Sequence, residues 1–140
     1  MELSARMKAY EGVTKQFLMA KTPIIVRIDG KAFHTWTRGL KAPFDEKFYA
    51  AMAGTAKDLV NSVQGAVFAY GQSDEISLFL RDYDTYETQA FFNGNIQKIA
   101  SVTASLATAH FNEKAKQLGI DRGKLALFDS RVFSLPQHEV

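Results

Sequence analysis

The stretch Ala66-Val67-Phe68-Ala69-Tyr70-Gly71-Gln72-Ser73-Asp74-Glu75-Ile76-Ser77-Leu78-Phe79-Leu80-Arg81 holds two apolar runs of strand length with a polar joint between them. Residues 66–71 and 76–81 predict a β-hairpin with residues 72–75 at its tip. The common tight hairpin turns on Asn-Gly or Asp-Gly. Here Ser73-Asp74-Glu75 stands where no turn rule asks for it. Upstream, Ile24-Ile25-Val26-Arg27-Ile28-Asp29-Gly30 also ends a strand-like run on an acid. Residues 24–28 are β-branched and apolar on both faces apart from Arg27, which predicts a central strand covered on both sides.

Working outward, residues 3–18 predict a helix, with Leu3, Met7, Tyr10, Val13 or Thr14, and Phe17 stepping by three or four. Lys21-Thr22-Pro23 ends it. Residues 30–44 predict a loop rich in aromatic and cationic side chains. Pro43, then Asp45 with Glu46, marks the next helix start, Asp45 capping the free N–H groups of the first turn. Phe48, Met52, Thr55 or Ala56, Leu59 and Val63 form its buried stripe. After the hairpin, Thr85 is expected to cap a helix near Tyr86, which Asn93-Gly94-Asn95 breaks. A second stripe follows through Ile99, Val102 or Thr103, Leu106, His110, Ala115 and Leu118, with Gly119 as its stop. Residues 125–128 and 131–135 predict a last strand with a bulge near Asp129-Ser130. The order is a helix followed by β-α-β-β-α-β, an α+β, ferredoxin-like arrangement. Right-handed crossovers put both crossover helices on one face. The end of the first strand and the hairpin tip then share one edge.

Composition narrows the function. The chain has 140 residues, 46% hydrophobic and 23% charged, which suits one globular domain. It contains no cysteine, so disulfides, thiolate metal sites and cysteine nucleophiles are excluded. That fits a reducing compartment, and a cytoplasmic location is expected. The first residues lack the apolar region of a signal peptide, and no run approaches the roughly 18 apolar residues of a membrane span. A net charge of +2 is too mild to imply nucleic acid by itself. No P-loop, His-Glu-x-x-His or Gly-x-Ser-x-Gly motif is present.

Asp29, Asp74 and Glu75 would meet at the shared edge, where three carboxylates repel one another unless cations sit between them. Mg²⁺ is the natural cation, and its commonest use is phosphate chemistry. A plainer reading is an exposed Asp-Gly turn and a polar hairpin tip. Neighbouring residues on a strand face opposite ways, so at most one of Asp74 and Glu75 shares the Asp29 face. Asp74 is taken as the ligand and Glu75 as an acid behind it. Gly30 leaves room for a ligand against the backbone and frees its carbonyl for a cation. Lys31, His34, Arg38 and Lys41 follow directly and either neutralise nucleotide phosphates or form a solvated loop. Lys98 lies one turn beyond Asn93-Gly94-Asn95, which reads as a phosphate-binding helix start or a kink. Ser73 has no base near it in sequence and reads as a hydrogen-bond donor, and His110 as a core or edge histidine.

Arg6-Met7-Lys8-x-Tyr10-Glu11, Arg27-Ile28-Asp29-Gly30-Lys31-x-Phe33-His34, Pro43-x-Asp45-Glu46 and Ala69-Tyr70-Gly71-Gln72-Ser73-Asp74-Glu75-x-Ser77 resemble the tRNA(His) guanylyltransferase family. Gln97-Lys98-x-x-Ser101 and Phe128-Asp129-Ser130-Arg131-Val132-Phe133 fit it too, and the spelling is closest to its bacterial-type "like" proteins. The resemblance implies a polymerase-like palm domain over residues 1–140 that works in the 3′→5′ direction. Such enzymes activate a tRNA 5′ end with ATP or GTP, and the 3′-hydroxyl of an incoming nucleotide then attacks it. The guanylyltransferases add one G to tRNA(His); the "like" proteins repair truncated 5′ ends. It also implies that Asp29 and Asp74 bind two Mg²⁺ with the Gly30 carbonyl, and that Glu75 is the third acid. Lys31, Ala32, Phe33, His34, Lys41, Ser73 and Lys98 would surround the nucleotide. The family's lysine before the proline is here Ala42, with Lys41 one position earlier. Family chains continue past Pro136 into a helical region that helps hold tRNA, and they assemble as dimers or tetramers. Two rivals share the topology: a nucleotide cyclase, and a non-catalytic RNA-binding module. The latter needs exposed aromatics on the central strands, which residues 24–28 and 66–70 are not expected to offer.

Overall fold

The structure, a computed structural model, describes residues 2–40 and 45–140. Pro43 lies outside the described residues, but the helix it announces follows directly. The elements are α1 (Leu3–Val13), β1 (Ile24–Gly30), a one-turn α2 (Phe33–Trp36), α3 (Glu46–Ser62), β2 (Ala66–Gln72), β3 (Glu75–Leu80), a 3₁₀ turn (Phe91–Gly94), α4 (Ile96–Gln117) and β4 (Phe128–Ser134). The strands form one sheet in the order β2-β3-β1-β4, every neighbouring pair antiparallel. This is the split βαβ, ferredoxin-like topology that the element order predicts. No helix among the described residues is long and apolar enough to cross a membrane.

Local chemistry explains the helix starts. The Asp45 side chain accepts from the Phe48 N–H at 2.9 Å and caps α3. Asn95 caps α4 in the same way, accepting from the Lys98 N–H at 3.1 Å. Phe48, Met52, Thr55, Leu59 and Val63 are buried, in the steps of three and four that a helix face requires. In α4 the buried row is Ile99, Thr103, Ala107, Phe111 and Ala115. It keeps a strict step of four and passes one residue beyond the expected Leu106 and His110. His110 instead pairs with Asp58 across the helix pair at 3.1 Å.

Several expectations are corrected. The helices α3 and α4 cover one face of the sheet, where Val26, Ile28, Ile76 and Leu78 are buried; on the other face Arg27 is exposed, although Phe79 is buried there. The strand β2, expected near the centre, is an edge. The first helix ends at Val13, and its apolar residues stay in solvent, Tyr10 at 70% and Val13 at 81% exposure. No helix forms at Tyr86, because Thr88 Oγ1 accepts from the Thr85 N–H at 3.0 Å and a local side-chain turn takes the backbone group a helix would need. The last strand is unbroken and pairs regularly with β1 from Ser134 to Phe128; the sheet's register shift falls in β2, between Ala66 and Phe68.

The core is densest at one end of the sheet. Phe111 is fully buried, and its ring lies 5.5 Å from Phe33, 5.2 Å from Trp36, 6.1 Å from Phe48 and 5.5 Å from Phe128. One side chain therefore ties α2, α3 and β4 to α4, and it does so beneath the loop that follows β1. Phe111→Ala should lower unfolding free energy by about 3–5 kcal/mol in urea titrations. A loss near zero would show that this cluster does not hold the loop.

Candidate active site at the end of the central strand

The end of β1 meets the β2–β3 hairpin directly. The Gly30 N–H donates to the Asp74 carbonyl at 2.9 Å, and the Lys31 N–H donates to the Leu127 carbonyl at 2.8 Å. Ala32 then turns the chain in the left-handed region, with φ 52°. Gly30 is required by packing: a Cβ there would sit 2.3 Å from Cδ1 of Phe33. The hairpin has a two-residue loop, Ser73-Asp74, because Gln72 pairs with Glu75. Ser73 adopts φ 57°, a left-handed conformation held by a non-glycine residue. Such conformations cost about 1–3 kcal/mol and gather at functional sites.

These turns enclose a cavity of about 530 Å³. Its lining includes Gly30, Ala32, Phe33, His34, Ser73 and Asp74, all singled out from the sequence. The first turn of α3 supplies the other wall through Asp45, expected only as a cap, Phe48, expected only as core, and Tyr49, with no expected role. Phe33 is 4% exposed, so it is a core residue whose edge floors the cavity. Lys31 is exposed and does not line the cavity. Lys41 lies outside the described residues. Lys98 is not brought to the site. It stands near the start of α4, whose Ile96 N–H donates to the Gln16 carbonyl at 3.0 Å. Phe111, against the site's Phe33, lies thirteen residues on, about 20 Å along the helix axis. The Lys98 ammonium rests 5.0 Å from the Phe92 ring centroid instead.

The open face of the sheet carries three rows across the strands. At the site end, Gln72, Glu75, Asp29 and Asp129 stand abreast. The next row is Tyr70, Ser77, Arg27 and Arg131, and the third is Phe68, Phe79, Ile25 and Phe133. Glu75, not Asp74, therefore shares the Asp29 face, because the short loop makes Glu75 the first paired residue of β3. Arg27 Nη2 lies 3.2 Å from Glu75 Oε1. Arg131 Nη1 lies 3.1 Å from Asp29 Oδ2 and 3.2 Å from Asp129 Oδ1. Burial first and the Glu75 charge second push the Asp29 carboxyl above the ordinary carboxylate range, against the pull of Arg27 and Arg131. Asp129 and Arg131 were missed as site residues. The alternation of residues 128–132 carries the signal, but the expected bulge at 129–130 hid it. Phe68 and Tyr70 are also exposed, contrary to the expectation that set the RNA-binding reading aside.

The donors are all oxygen atoms, the ligand type that hard cations prefer. Among the described residues no three His, Asp or Glu side chains are grouped so that they could hold a metal ion, so the expected convergence of Asp29, Asp74 and Glu75 does not form. Mg²⁺ does not need three: it is usually held by one or two carboxylates, with water and substrate phosphate completing the octahedron. Asp74 lines the cavity, and Asp29 stands on the open face next to Gly30, whose N–H donates to the Asp74 carbonyl.

Comparison with known proteins bears on this arrangement. The model of the tRNAHis guanylyltransferase family matches residues 4–136. A tRNA(His) guanylyltransferase from Eremothecium gossypii is 32% identical over 88% of this chain and 53% of its own length. A bacterial tRNA(His) guanylyltransferase-like protein solved with ATP superposes with a TM-score of 0.96 at 46% identity, covering 100% of this chain and 61% of that one. A bacterial protein of the same description solved with GTP gives a TM-score of 0.92 at 46% identity, covering 98% of this chain and 60% of that one. The chain spans about half the length of the curated relatives it matches.

Two outcomes follow from the geometry. Asp29 binds its proton more tightly folded than unfolded, so its ionisation lowers stability as pH rises through and above the ordinary carboxylate range. In EDTA, Asp29→Asn should therefore be more stable than the parent near pH 7, and the difference should shrink below about pH 4, read from urea midpoints. A variant less stable at neutral pH would contradict this. Gly30→Ala should cost about 1–3 kcal/mol in the same assay, because the Phe33 ring must move.

Proposed function

The chain belongs to the tRNA(His) guanylyltransferase family, and from that premise we propose that it is a Mg²⁺-dependent nucleotidyltransferase adding nucleotides to tRNA 5′ ends in the 3′→5′ direction. The observation that carries the proposal is the junction of the Asp29-Gly30 strand end with Ser73-Asp74 at the mouth of a cavity of about 530 Å³. That volume falls within the range of small-molecule and cofactor sites. The ATP and GTP complexes of the two bacterial relatives support a nucleoside triphosphate as its occupant.

In this reading Asp29 and Asp74 hold up to two Mg²⁺, with the Gly30 carbonyl as a further donor. When bound, the ions lower the pKa of an attacking hydroxyl and neutralise charge on the leaving phosphates. Ser73 donates to a phosphate oxygen from the rigid hairpin tip. His34 and the α3 wall place the nucleotide, and Phe33 keeps the cavity floor dry. Glu75 and its partner Arg27 hold the charge balance of the open face beside Asp29. A tRNA 5′ end would enter from that face, where Arg27 and Arg131 offer positive charge and Tyr70 a stacking surface. Assembly into a homo-oligomer belongs to the proposal, as does repair of truncated 5′ ends. Lys98, at the far end of the sheet, plays no part within one chain.

The test is extension of a 5′-truncated tRNA with α-labelled GTP or ATP. Label should appear at the 5′ end, vanish in EDTA, and fall by about 10²-fold or more in Asp29→Ala and Asp74→Ala. Label at the 3′ end, a cyclic product from GTP alone, or full activity in either variant would overturn the proposal.

A further inference from the structure

We infer that Arg131 is a tethered stand-in cation for Asp29, and that Asp129 is the acid to which its guanidinium retreats when a divalent ion arrives. The inference rests on the assignment of Asp29 as a metal ligand. A single nitrogen, Nη1 of Arg131, lies 3.1 Å from Asp29 Oδ2 and 3.2 Å from Asp129 Oδ1. The two acids are paired positions on adjacent strands. A small swing of the guanidinium thus exchanges one carboxylate for the other without leaving the row. The Arg131 side chain is 64% exposed, so the swing disturbs little packing. The companion arginine has no such choice: Arg27 Nε and Nη2 both address Glu75 Oε1, each at 3.2 Å.

The arrangement answers a charge problem. Before metal binds, Glu75, Asp29 and Asp129 stand abreast with two guanidiniums to balance three carboxylates. Like charges directly opposite one another destabilise a sheet, so Arg131 serves best between the two acids it touches. A cation approaching Asp29 removes the need for Arg131 there. Without Asp129, the guanidinium would have to give up its only partner and return to water. With Asp129, it keeps one. Arg131 is therefore a positioning residue: it holds the Asp29 carboxylate in place and yields it to the ion.

A double-mutant cycle on Mn²⁺ affinity, read by electron paramagnetic resonance of the free ion without nucleotide, separates exchange from the simple field of two charges. Arg131→Gln should tighten Mn²⁺ binding and Asp129→Asn should weaken it, each by about two- to five-fold, the scale of an exposed ion pair. Exchange requires that Asp129→Asn lose most of its effect once Arg131 is gone. Arg131→Lys, which keeps the charge as a single-point donor, should keep most of that coupling and covers the case in which the glutamine variant folds poorly. An Asp129→Asn effect of equal fold with and without Arg131 overturns the exchange while leaving the metal assignment intact. Mn²⁺ binding unchanged in Asp29→Asn overturns that assignment, and the exchange with it.

Discussion

The antiparallel register at the end of β1 is the constraint on which the site depends. It sets Glu75 and Asp129 on either side of Asp29, on a face that neither α3 nor α4 covers. Like charges directly opposite one another destabilise a sheet. Here the cost falls on Asp29, whose carboxyl is held above its ordinary range by burial and by Glu75. Two arginines one row away offset part of it.

The rest of the fold builds the cavity that the end of β1 reaches through Gly30. Loops carry function when a rigid scaffold positions them. In this chain the scaffold is aromatic: Phe111 lies beneath Phe33, Trp36, Phe48 and Phe128, and so fixes the turn after β1 against both long helices. Phe33 in turn forces glycine at position 30, where the backbone N–H must reach the Asp74 carbonyl. Ala32 and Ser73, both in the left-handed region, mark the two places where the chain bends to bring these groups together. Their cost is met by the surrounding hydrogen bonds and packing, as strain at a working site must be.

Much of this was legible before any coordinates. The β-branched run ending at Asp29-Gly30, the hairpin as such, the Asp45 cap and the α3 stripe all stand where periodicity and capping chemistry place them, but the hairpin tip is Ser73-Asp74 alone and not the expected residues 72–75. What escaped notice needed tertiary information. Arg27, the lone charge in an apolar strand, marked an open face, but one residue cannot say which side of a sheet lacks helices. Asp129 became visible only through its register with Asp29. Lys98 was placed at the site from resemblance, although a strand leaving the hairpin tip carries the next helix start to the opposite end. The apolar stripe of α1 has sound helical spacing, yet periodicity alone does not say what covers it. The family's motifs supplied chemistry that spacing could not, since an Asp-Gly strand end is common and becomes informative only beside Gly71-Gln72-Ser73-Asp74-Glu75.

Crystals soaked with MnCl₂ and GTP, with anomalous scattering recorded at the manganese edge, address the central claim directly. The account predicts an anomalous peak about 2.0–2.2 Å from carboxylate oxygens of both Asp29 and Asp74, the coordination range of Mg²⁺ and its close analogue. A well-occupied nucleotide with no manganese at those oxygens, or manganese bound only elsewhere on the molecule, would contradict it.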